Sequence, residues 1–378
     1  MTLPKPPVTL TQLAQILPDA TLVGDGNVSV RDLAHPLMVS GPEDLVLIID
    51  PQALKVLEAK IVQAAIVADE IPIPDNALKG YIKVKRARHA LAYLLNVFEK
   101  PAHHTPGVHP TAIVEEGAQV HPSVSLGAYA VVGKNAQINE GTVVLPHVTI
   151  GADAKIGKNT LLHPGVRVGD RVMIGNNVII HHNASIGADG FSFVTPEKGS
   201  VEAAKSGGKV GENKNTEIIR INSIGTVVIE DHVEIGGCTC IDRSNIGATI
   251  IKRGTKIDNL VQIGHNNTIG QNCLIVGQAG IAGSCKVGDR VVLAGQAALA
   301  DHLTVGDDAI VMAKSGAMRD IEAGSVVGGT PALPAKEALR NISLISKLSD
   351  MRKDLREMKK RLEELEKQAS ESGEPARV

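Results

Sequence analysis

The chain has 378 residues, a net charge of −2 and a hydrophobic fraction of 43%, while aromatic residues make up only 2%. Abundant aliphatic residues with little net charge exclude intrinsic disorder, and the balanced charges exclude a protein that binds nucleic acid through its overall charge. Because almost no large rings are available, the interior must be narrow enough for aliphatic side chains to fill, which favours a repetitive architecture.

The first segment, residues 1–105, combines two helical patterns with three strand patterns. LTQLAQIL and HALAYLLNVF have helical spacing, and DLVLIID, AAIVAD and GYIKV are typical of buried strands. We predict a small α/β domain here. The chain shows no signal-peptide pattern and no apolar stretch of about 18 residues, so we expect a cytoplasmic protein without a transmembrane segment.

In the middle segment, residues 106–333, an aliphatic residue recurs at every sixth position. One run extends from Val108 to Ile186 and a second from Ile229 to Val311, with a slip of four residues before Ile251. A period of six fits neither a helix nor an ordinary strand. Hexapeptides that each form a short strand and a corner build triangular coils of about 18 residues around a continuous core. The pattern therefore predicts a mainly β fold, a parallel β-helix.

Residues 191–222 interrupt this period. The middle of the interruption, PEKGSVEAAKSGGKVGENKNTE, is polar and rich in Gly and Lys. Two interpretations remain open, a solvated loop inserted at a corner and a flap over a functional site, because loops on rigid scaffolds commonly carry binding residues.

The last segment, residues 334–378, is predicted to be an α-helical extension. Leucine and methionine alternate there at spacings of three and four, which is the a/d seam of a coiled coil. The seam consists of Leu348, Met351, Leu355, Met358, Leu362 and Leu365. A seam on a single helix needs partners, so we expect the chain to oligomerise.

The four cysteines, Cys238, Cys240, Cys273 and Cys285, form no C-x-x-C pair. We interpret all four as small buried apolar residues rather than as metal ligands.

Histidine spacing separates one candidate site from many surface histidines. His163 and His181 are 18 residues apart and should stack on adjacent coils, which is more typical of a surface pair than of metal ligands. His265 follows a corner, Gly283 lies one coil later, and His302 lies two coils and one residue later. A neutral imidazole can accept a proton from a nucleophile, and a glycine N–H can stabilise an oxyanion, so we predict a catalytic edge here.

Four motifs carry a resemblance to a known enzyme family. They are IGADGFSF, VVIEDHVEIGGCTCIDR, KIDNLVQIGHNNTIG and VVGGTPALP. They resemble the UDP-3-O-(3-hydroxyacyl)glucosamine N-acyltransferases of lipid A biosynthesis. The resemblance implies a left-handed β-helix between an N-terminal uridine-binding domain and a C-terminal helical extension, assembled as a homotrimer. It also implies an acyltransferase that moves a 3-hydroxyacyl chain from acyl-carrier protein to the 2-amino group of a UDP-sugar lipid intermediate.

The resemblance assigns roles to individual residues. His265 becomes the general base and Gly283 the oxyanion donor, and His302, Asn259, Gln262 and Asn266 become substrate-binding residues. Two further residues, Met318 and Arg319, match positions on the acyl or carrier-protein side. No cofactor or metal is expected to be bound permanently, because the phosphopantetheine arrives on the carrier protein as a co-substrate. A basic run on the terminal helix is a candidate docking surface for that acidic carrier.

One departure from the family lies in the first domain. The family commonly holds uracil between two aromatic rings, and the matching run here places Leu47 and Ala53 at those positions, with Asp50 in place of an asparagine. We expect Leu47 and Asp50 to contact the nucleotide, with weaker or altered recognition of uracil.

Three alternatives to this function remain. A related sugar-nucleotide acyl- or acetyltransferase with a different acceptor shares the fold. A zinc lyase of the γ-carbonic-anhydrase type requires an H-x4-H spacing inside the solenoid, whereas His104 and His109, which have it, precede the solenoid. A non-catalytic trimeric scaffold is the third alternative.

Overall fold

The computed structural model describes residues 5–59, 61–100, 104–196, 217–329 and 332–372. The chain divides into two compact units, Met1–His103 and His104–Val378. Among the described residues, no helix is both long enough and apolar enough to cross a membrane.

The first unit is built on a five-stranded sheet. Its strands, in spatial order, are Ala20–Gly24, Gly80–Val84, Ala64–Ala68, Asp44–Ile48 and Asp32–Ala34. The first pair is antiparallel and the others are parallel. A separate antiparallel pair is formed by Val8–Thr9 and Ser29–Val30, and the helical segments are Leu10–Ile16, Pro51–Ala59 (a 3₁₀ helix) and Ala87–Phe98. These elements include both predicted helices and all three predicted strands.

The sheet of the first unit is apolar on both faces. Alternate residues of Asp44–Ile48 enter two different cores, because successive side chains of a strand point to opposite sides. Leu45 and Leu47 pack with the helices Leu10–Ile16 and Ala87–Phe98, whereas Val46 and Ile48 pack with the 3₁₀ segment. The two helices and the 3₁₀ segment therefore cover opposite faces of one sheet, as in other small α/β domains.

The second unit contains the predicted parallel β-solenoid, whose strands lie in three sheets that we call faces 1, 2 and 3. Face 1 has eleven strands: Gly107–Val108, Ser125–Leu126, Val143–Val144, Leu161–Leu162, Ile179–Ile180, Glu234–Ile235, Lys256–Ile257, Leu274–Ile275, Val292–Leu293, Ile310–Val311 and Val326–Val327. Face 2 has ten: Ile113–Val114, Val131–Val132, Thr149–Ile150, Arg167–Val168, Ser185–Asp189, Cys240–Arg243, Gln262–Ile263, Gly280–Ile281, Ala298–Leu299 and Gly316–Ala317. Face 3 has nine: Gln119–Val120, Gln137–Ile138, Lys155–Ile156, Met173–Ile174, Thr226–Ile229, Ala248–Ile251, Thr268–Ile269, Lys286–Val287 and Thr304–Val305.

The six-residue period corresponds to the core of this solenoid. Every periodic position from Leu126 to Ile186 and from Ile229 to Val311 is buried, and these side chains form one continuous cluster. Only the start of the run departs from this pattern, since Val108 and Val114 in the first coil are exposed. The sequence prediction of a mainly β hexapeptide solenoid is therefore confirmed, and its aliphatic core accounts for the scarcity of rings.

The corners of the coils repeatedly use the left-handed backbone conformation. Asparagine and glycine adopt this conformation at the lowest cost, and Asn183, with a φ of 59°, is one example. Its side chain lies against Gly165 on the preceding coil, where a Cβ atom would approach within 2.1 Å of Asn183 Oδ1. Any larger residue at position 165 would therefore clash with the asparagine of the next coil.

Two irregularities interrupt the regular coils. In the first, Phe193–Val194 pairs antiparallel with Ile219–Arg220 and closes the base of the inserted segment, whose middle, 197–216, lies outside the described residues. In the second, Ile229 pairs with Ile251, so that coil has 22 residues. The slip of four residues seen in the sequence is therefore absorbed within one coil.

The cysteines are more varied than predicted. Cys273 and Cys285 are buried, Cys240 is half-buried, and Cys238 is exposed at a left-handed corner. The prediction that all four are buried is wrong for Cys238, because a corner residue points away from the core whatever its polarity.

The C-terminal extension consists of two helices, Ala335–Ile345 and Leu348–Ser372. All six residues of the predicted heptad seam lie on the second helix, and each is more than half exposed in the single chain. The structure thus contains an uncovered apolar stripe along this helix.

The inward and outward positions of one strand give a direct test of the core. Leu162 is fully buried, whereas its neighbour Leu161 is half-buried on the outer surface. Leu162→Ala should lower the free energy of unfolding by about 2–5 kcal/mol, since a narrow core cannot collapse around the cavity. Leu161→Ala should cost less than about 1 kcal/mol. Urea unfolding, monitored by circular dichroism, measures the free energy of unfolding of both variants. Equal losses of stability would contradict the inward orientation of Leu162 and the outward orientation of Leu161.

Candidate active site

The predicted catalytic edge lies where the strands of face 2 end. The strands Gln262–Ile263 and Gly280–Ile281 are in register, which brings the corners that follow them together. Ser284 N donates to His265 O at 2.9 Å, and His302 N donates to Gly283 O at 3.0 Å. His265, Gly283 and His302 therefore occupy three successive corners, as their spacing predicts.

The His265 ring is held between two glycines. A Cβ atom on Gly283 would lie 2.8 Å from both Nε2 and Cε1 of His265, and one on Gly190 would lie 2.8 Å from its Cβ. Neither glycine has a positive φ. Both positions therefore require glycine for space around the imidazole rather than for backbone conformation.

The neighbouring Asn266 determines which nitrogen of His265 carries the proton. Asn266 Nδ2 donates to Ile246 O at 3.1 Å, and Asn266 Oδ1 accepts from Asn245 N at 3.1 Å. The oxygen therefore faces His265 Nδ1, which lies 3.0 Å away and must be the donor. His265 Nε2 is left with a lone pair beside Gly283, which is the form that a general base requires.

A buried amide fixes the two corners from inside. Asn267 is fully buried, and its Nδ2 donates to Gly264 O at 2.7 Å and to Ala282 O at 2.9 Å. Its Oδ1 accepts from Cys285 N at 2.7 Å. Asn267 thus ties the corner that carries His265 to the corner that carries Gly283, which limits movement between base and glycine.

A cavity of about 570 Å³ is lined by His265 and by residues from both irregularities of the solenoid. Phe191, Phe193 and Arg220 come from the base of the inserted segment, and Phe191 is 87% exposed. Arg220 pairs with Asp189, which also lies 3.8 Å from Arg243. The described ends of the insertion thus form one wall of this cavity, and both interpretations of its middle, which lies outside the described residues, stay predictions.

Asp242 is a cavity residue that sequence reasoning missed. It is 9% exposed, and its Oδ2 accepts from Gln262 Nε2 at 3.1 Å. Burial raises the pKa of the Asp242 carboxyl above its usual value, and the Gln262 hydrogen bond and His265 offset part of this effect. The 22-residue coil was the available signal, because it places Asp242 beside Gly264 on the next coil.

The raised pKa of Asp242 predicts a pH-dependent stability. Only the ionised carboxyl is disfavoured by burial, so Asp242→Asn should stabilise the protein at neutral pH by on the order of 1 kcal/mol. The advantage should shrink as the pH falls through the raised pKa toward the ordinary value of 3.8, since wild type then becomes neutral as well. Urea unfolding at several pH values measures the difference, and a gap that widens on acidification would refute this explanation.

Other predicted site residues lie outside this cavity. His302 is exposed, and its backbone contacts Gly283 without its side chain lining the cavity wall. Asn259 lines a second cavity of about 820 Å³, and its Oδ1 accepts from Gly237 N at 2.5 Å. Met318 and Arg319 are exposed beyond the strand Gly316–Ala317.

The first unit has a cavity of about 530 Å³ that Asp50 and Ala53 line. Asp50 Oδ1 accepts from Ala53 N at 3.0 Å, which fixes the turn into the 3₁₀ segment. Leu47 packs into the core on one face of the sheet, whereas Ala53 packs on the other. The structure therefore brings Asp50 and Ala53 together and directs Leu47 away from them.

A group of three histidines includes two residues that line the second cavity, His181 and His182, and a third, His163, beside them. The rings of His163 and His181 stack with centroids 4.8 Å apart, as their spacing predicts, and His182 lies beside them. One nitrogen from each ring can be chosen so that the three nitrogens all lie within 4.8 Å of one another.

Comparison with known proteins gives consistent matches. Residues 153–188 match the family model described as bacterial transferase hexapeptide (six repeats). The UDP-3-O-acylglucosamine N-acyltransferase of Syntrophus aciditrophicus is 47% identical over 92% of this chain and 91% of its own length. The enzyme of the same name from Desulfotalea psychrophila is 42% identical over 92% of this chain and 95% of its own length. Among solved structures, Arabidopsis UDP-N-acetylglucosamine acyltransferase aligns over 65% of this chain and 80% of its own, with 20% identity and a TM-score of 0.47.

Proposed function

Since the chain belongs to the UDP-3-O-acylglucosamine N-acyltransferase family, an acyltransferase family of lipid A biosynthesis, we propose that His265 is the general base of its reaction. The acceptor is a UDP-3-O-acylglucosamine, and the donor is a 3-hydroxyacyl thioester on acyl-carrier protein. The enzyme acts in the cytoplasm without a permanently bound cofactor, and the phosphopantetheine enters with the carrier.

The reaction replaces a C–S bond by a C–N bond. The 2-amino group of the sugar attacks the thioester carbonyl while His265 Nε2 accepts the amine proton. The Gly283 N–H stabilises the negative charge that develops on the carbonyl oxygen. Collapse of the tetrahedral intermediate expels the phosphopantetheine thiolate, which receives the proton that His265 holds. The histidine is then neutral again and ready for the next cycle.

The observation that carries this proposal is the tautomer of His265. Asn266 Oδ1 accepts the Nδ1 proton, which leaves the lone pair of Nε2 free beside Gly283. A base is useful only where a nucleophile can reach it, and His265 and Gly283 both line the cavity of about 570 Å³. Gln262 in the cavity wall is positioned to contact bound substrate.

The remaining site residues fit a homotrimer. The apolar seam on Leu348–Ser372 is exposed in one chain and would be covered by equivalent helices. Asn259 faces a different cavity from His265, so its proposed contact with substrate requires a neighbouring copy. His302 at the adjacent corner would bind the sugar nucleotide.

The carrier protein would dock on exposed basic and apolar side chains. Met318 and Arg319 are exposed at the end of the solenoid. The helix Leu348–Ser372 adds an exposed basic group: Arg352, Lys353, Arg356, Lys359, Lys360 and Arg361. Opposite charges on the two surfaces would speed association and make it sensitive to salt.

An acylation assay tests the proposal. The purified protein is incubated with UDP-3-O-acylglucosamine and carrier proteins bearing 3-hydroxyacyl chains of different lengths, and the N-acylated product is measured by mass spectrometry. Acylation from the carrier protein supports the proposal. Transfer from acetyl-CoA alone would identify a related acetyltransferase, and no transfer from any donor would favour a trimeric scaffold. A parallel titration with UDP tests the first unit, where Asp50 would contact the nucleotide.

A further inference from the structure

We propose that His163, His181 and His182 form a binding site for a divalent transition metal of the zinc type, within one chain and separate from the acyl-transfer site. His181 and His182 line the cavity of about 820 Å³, and His163 lies beside these two rings, whereas His265 lines the cavity of about 570 Å³. The inference therefore does not depend on the proposed reaction.

The backbone holds these histidines on rigid elements. Leu162 pairs with Ile180, and Ile180 pairs with Ile235, so His163 and His181 follow aligned strands of face 1. His163 N donates to Ile180 O at 2.9 Å, and His181 N donates to Ile235 O at 2.8 Å. Sites on such ladders keep their geometry better than sites on loops.

The ring nitrogens are close enough to share an ion. One nitrogen from each ring lies within 4.8 Å of those of the other two, and the ring centroid of His163 is 4.8 Å from that of each partner. Two nitrogens on a tetrahedral zinc ion with bonds of about 2.1 Å stand roughly 3.4 Å apart. Side-chain rotations that move each ring by less than about 1 Å therefore suffice to close the site.

A carboxylate orients one of the rings. His181 Nε2 lies 3.0 Å from Glu234 Oε1, and an imidazole that donates one N–H to a carboxylate presents its other nitrogen as a lone pair. This carboxylate–histidine arrangement is typical of ligands around zinc. Glu234 also lies 3.7 Å from Lys256, which balances part of its charge.

The chemistry of the rings selects the class of metal. Each of the three side chains offers an imidazole nitrogen as its ligand atom. Neutral imidazoles bind zinc, cobalt, nickel and copper, whereas magnesium and calcium prefer oxygen ligands. Half-buried His163 and His181 on adjacent coils, with exposed His182, would then be cross-linked by the ion.

Titration of the metal-free full-length protein with zinc tests this site. Isothermal calorimetry should show one zinc per chain and no binding of magnesium. Cobalt substituted for zinc should give the visible absorption of a low-coordinate site. His163→Gln should weaken zinc binding about 100-fold or more, and Glu234→Gln, which keeps all three rings, about 10-fold.

The matched control is His147→Gln. His147 stacks on Tyr129 with centroids 5.1 Å apart but belongs to no group of three metal-ligating side chains among the described residues, so its variant should bind zinc like wild type. Zinc should also raise the melting temperature of wild type and of this control, and not that of His163→Gln. Equal affinity in wild type and His163→Gln would overturn the proposal. One zinc per three chains would also overturn it, since the ligands would then come from different copies.

Discussion

His265→Ala should reduce N-acyl transfer by about 10²–10⁴-fold while the protein stays folded. The side chain removes the amine proton in the proposed reaction, and no other imidazole among the described residues lines its cavity. His265 is half-buried at a corner, outside the aliphatic core, so its loss leaves the coils intact. Initial rates with acyl-carrier protein as donor measure the effect.

The control for this variant is His147→Ala, another corner histidine on the solenoid, which should retain wild-type rates. Circular dichroism and sedimentation should show the same fold and assembly for wild type and both variants. Turnover of His265→Ala within a few-fold of wild type would remove His265 from the mechanism. Loss of assembly together with activity would assign it a structural role instead.

Gly283→Ala should lower kcat by about 100-fold, because a methyl group displaces the base by roughly an ångström. The added Cβ would lie 2.8 Å from His265 Nε2, closer than unstrained atoms pack, so the imidazole must shift from its position. Since Gly283 does not need a positive φ, the backbone accommodates alanine and the fold is kept. The N–H of residue 283 also remains, so the loss reports on the position of the imidazole.

Gly280→Ala is the matched control. Gly280 begins the strand Gly280–Ile281, which leads into the corner that carries Gly283, and a Cβ there meets nothing within 4 Å. This variant should retain the wild-type kcat and melting temperature. If both alanines lowered kcat equally, general disturbance of the strand would explain the loss and the close contact with His265 would not.

The solenoid was predictable from the sequence because the burial of each residue depends on its place in the six-residue repeat. A coil of fixed length needs an inward aliphatic residue at every sixth position, so Ile263 and Ile281 reveal their burial by spacing alone. The same arithmetic placed Gly283 beside His265, since the intervening coil is regular. The strands and helices of the first unit were also recognisable, because each carries its own short-range pattern.

Asp242 escaped prediction for the opposite reason. Its approach to His265 depends on a coil of 22 residues, and regular 18-residue spacing assigns it a different neighbour. The separation of Leu47 from Ala53 was missed because it depends on which face of the sheet each side chain enters. The grouping of His182 with the predicted pair depends on rotamers at a corner, which spacing does not specify.

The two interruptions of the hexapeptide repeat have a consequence for how such an enzyme evolves and is redesigned. Both contribute walls to the His265 cavity, Phe191 from one and Asp242 from the other. Each strand of a solenoid pairs only with the strands above and below it, so insertions at a corner leave distant coils undisturbed. The regular coils thus serve as a framework, and we expect that exchanging the two inserts, one long and one of four residues, would change substrate preference. We expect a solenoid built only of regular hexapeptides to form the same coils but to lose its preference among substrates.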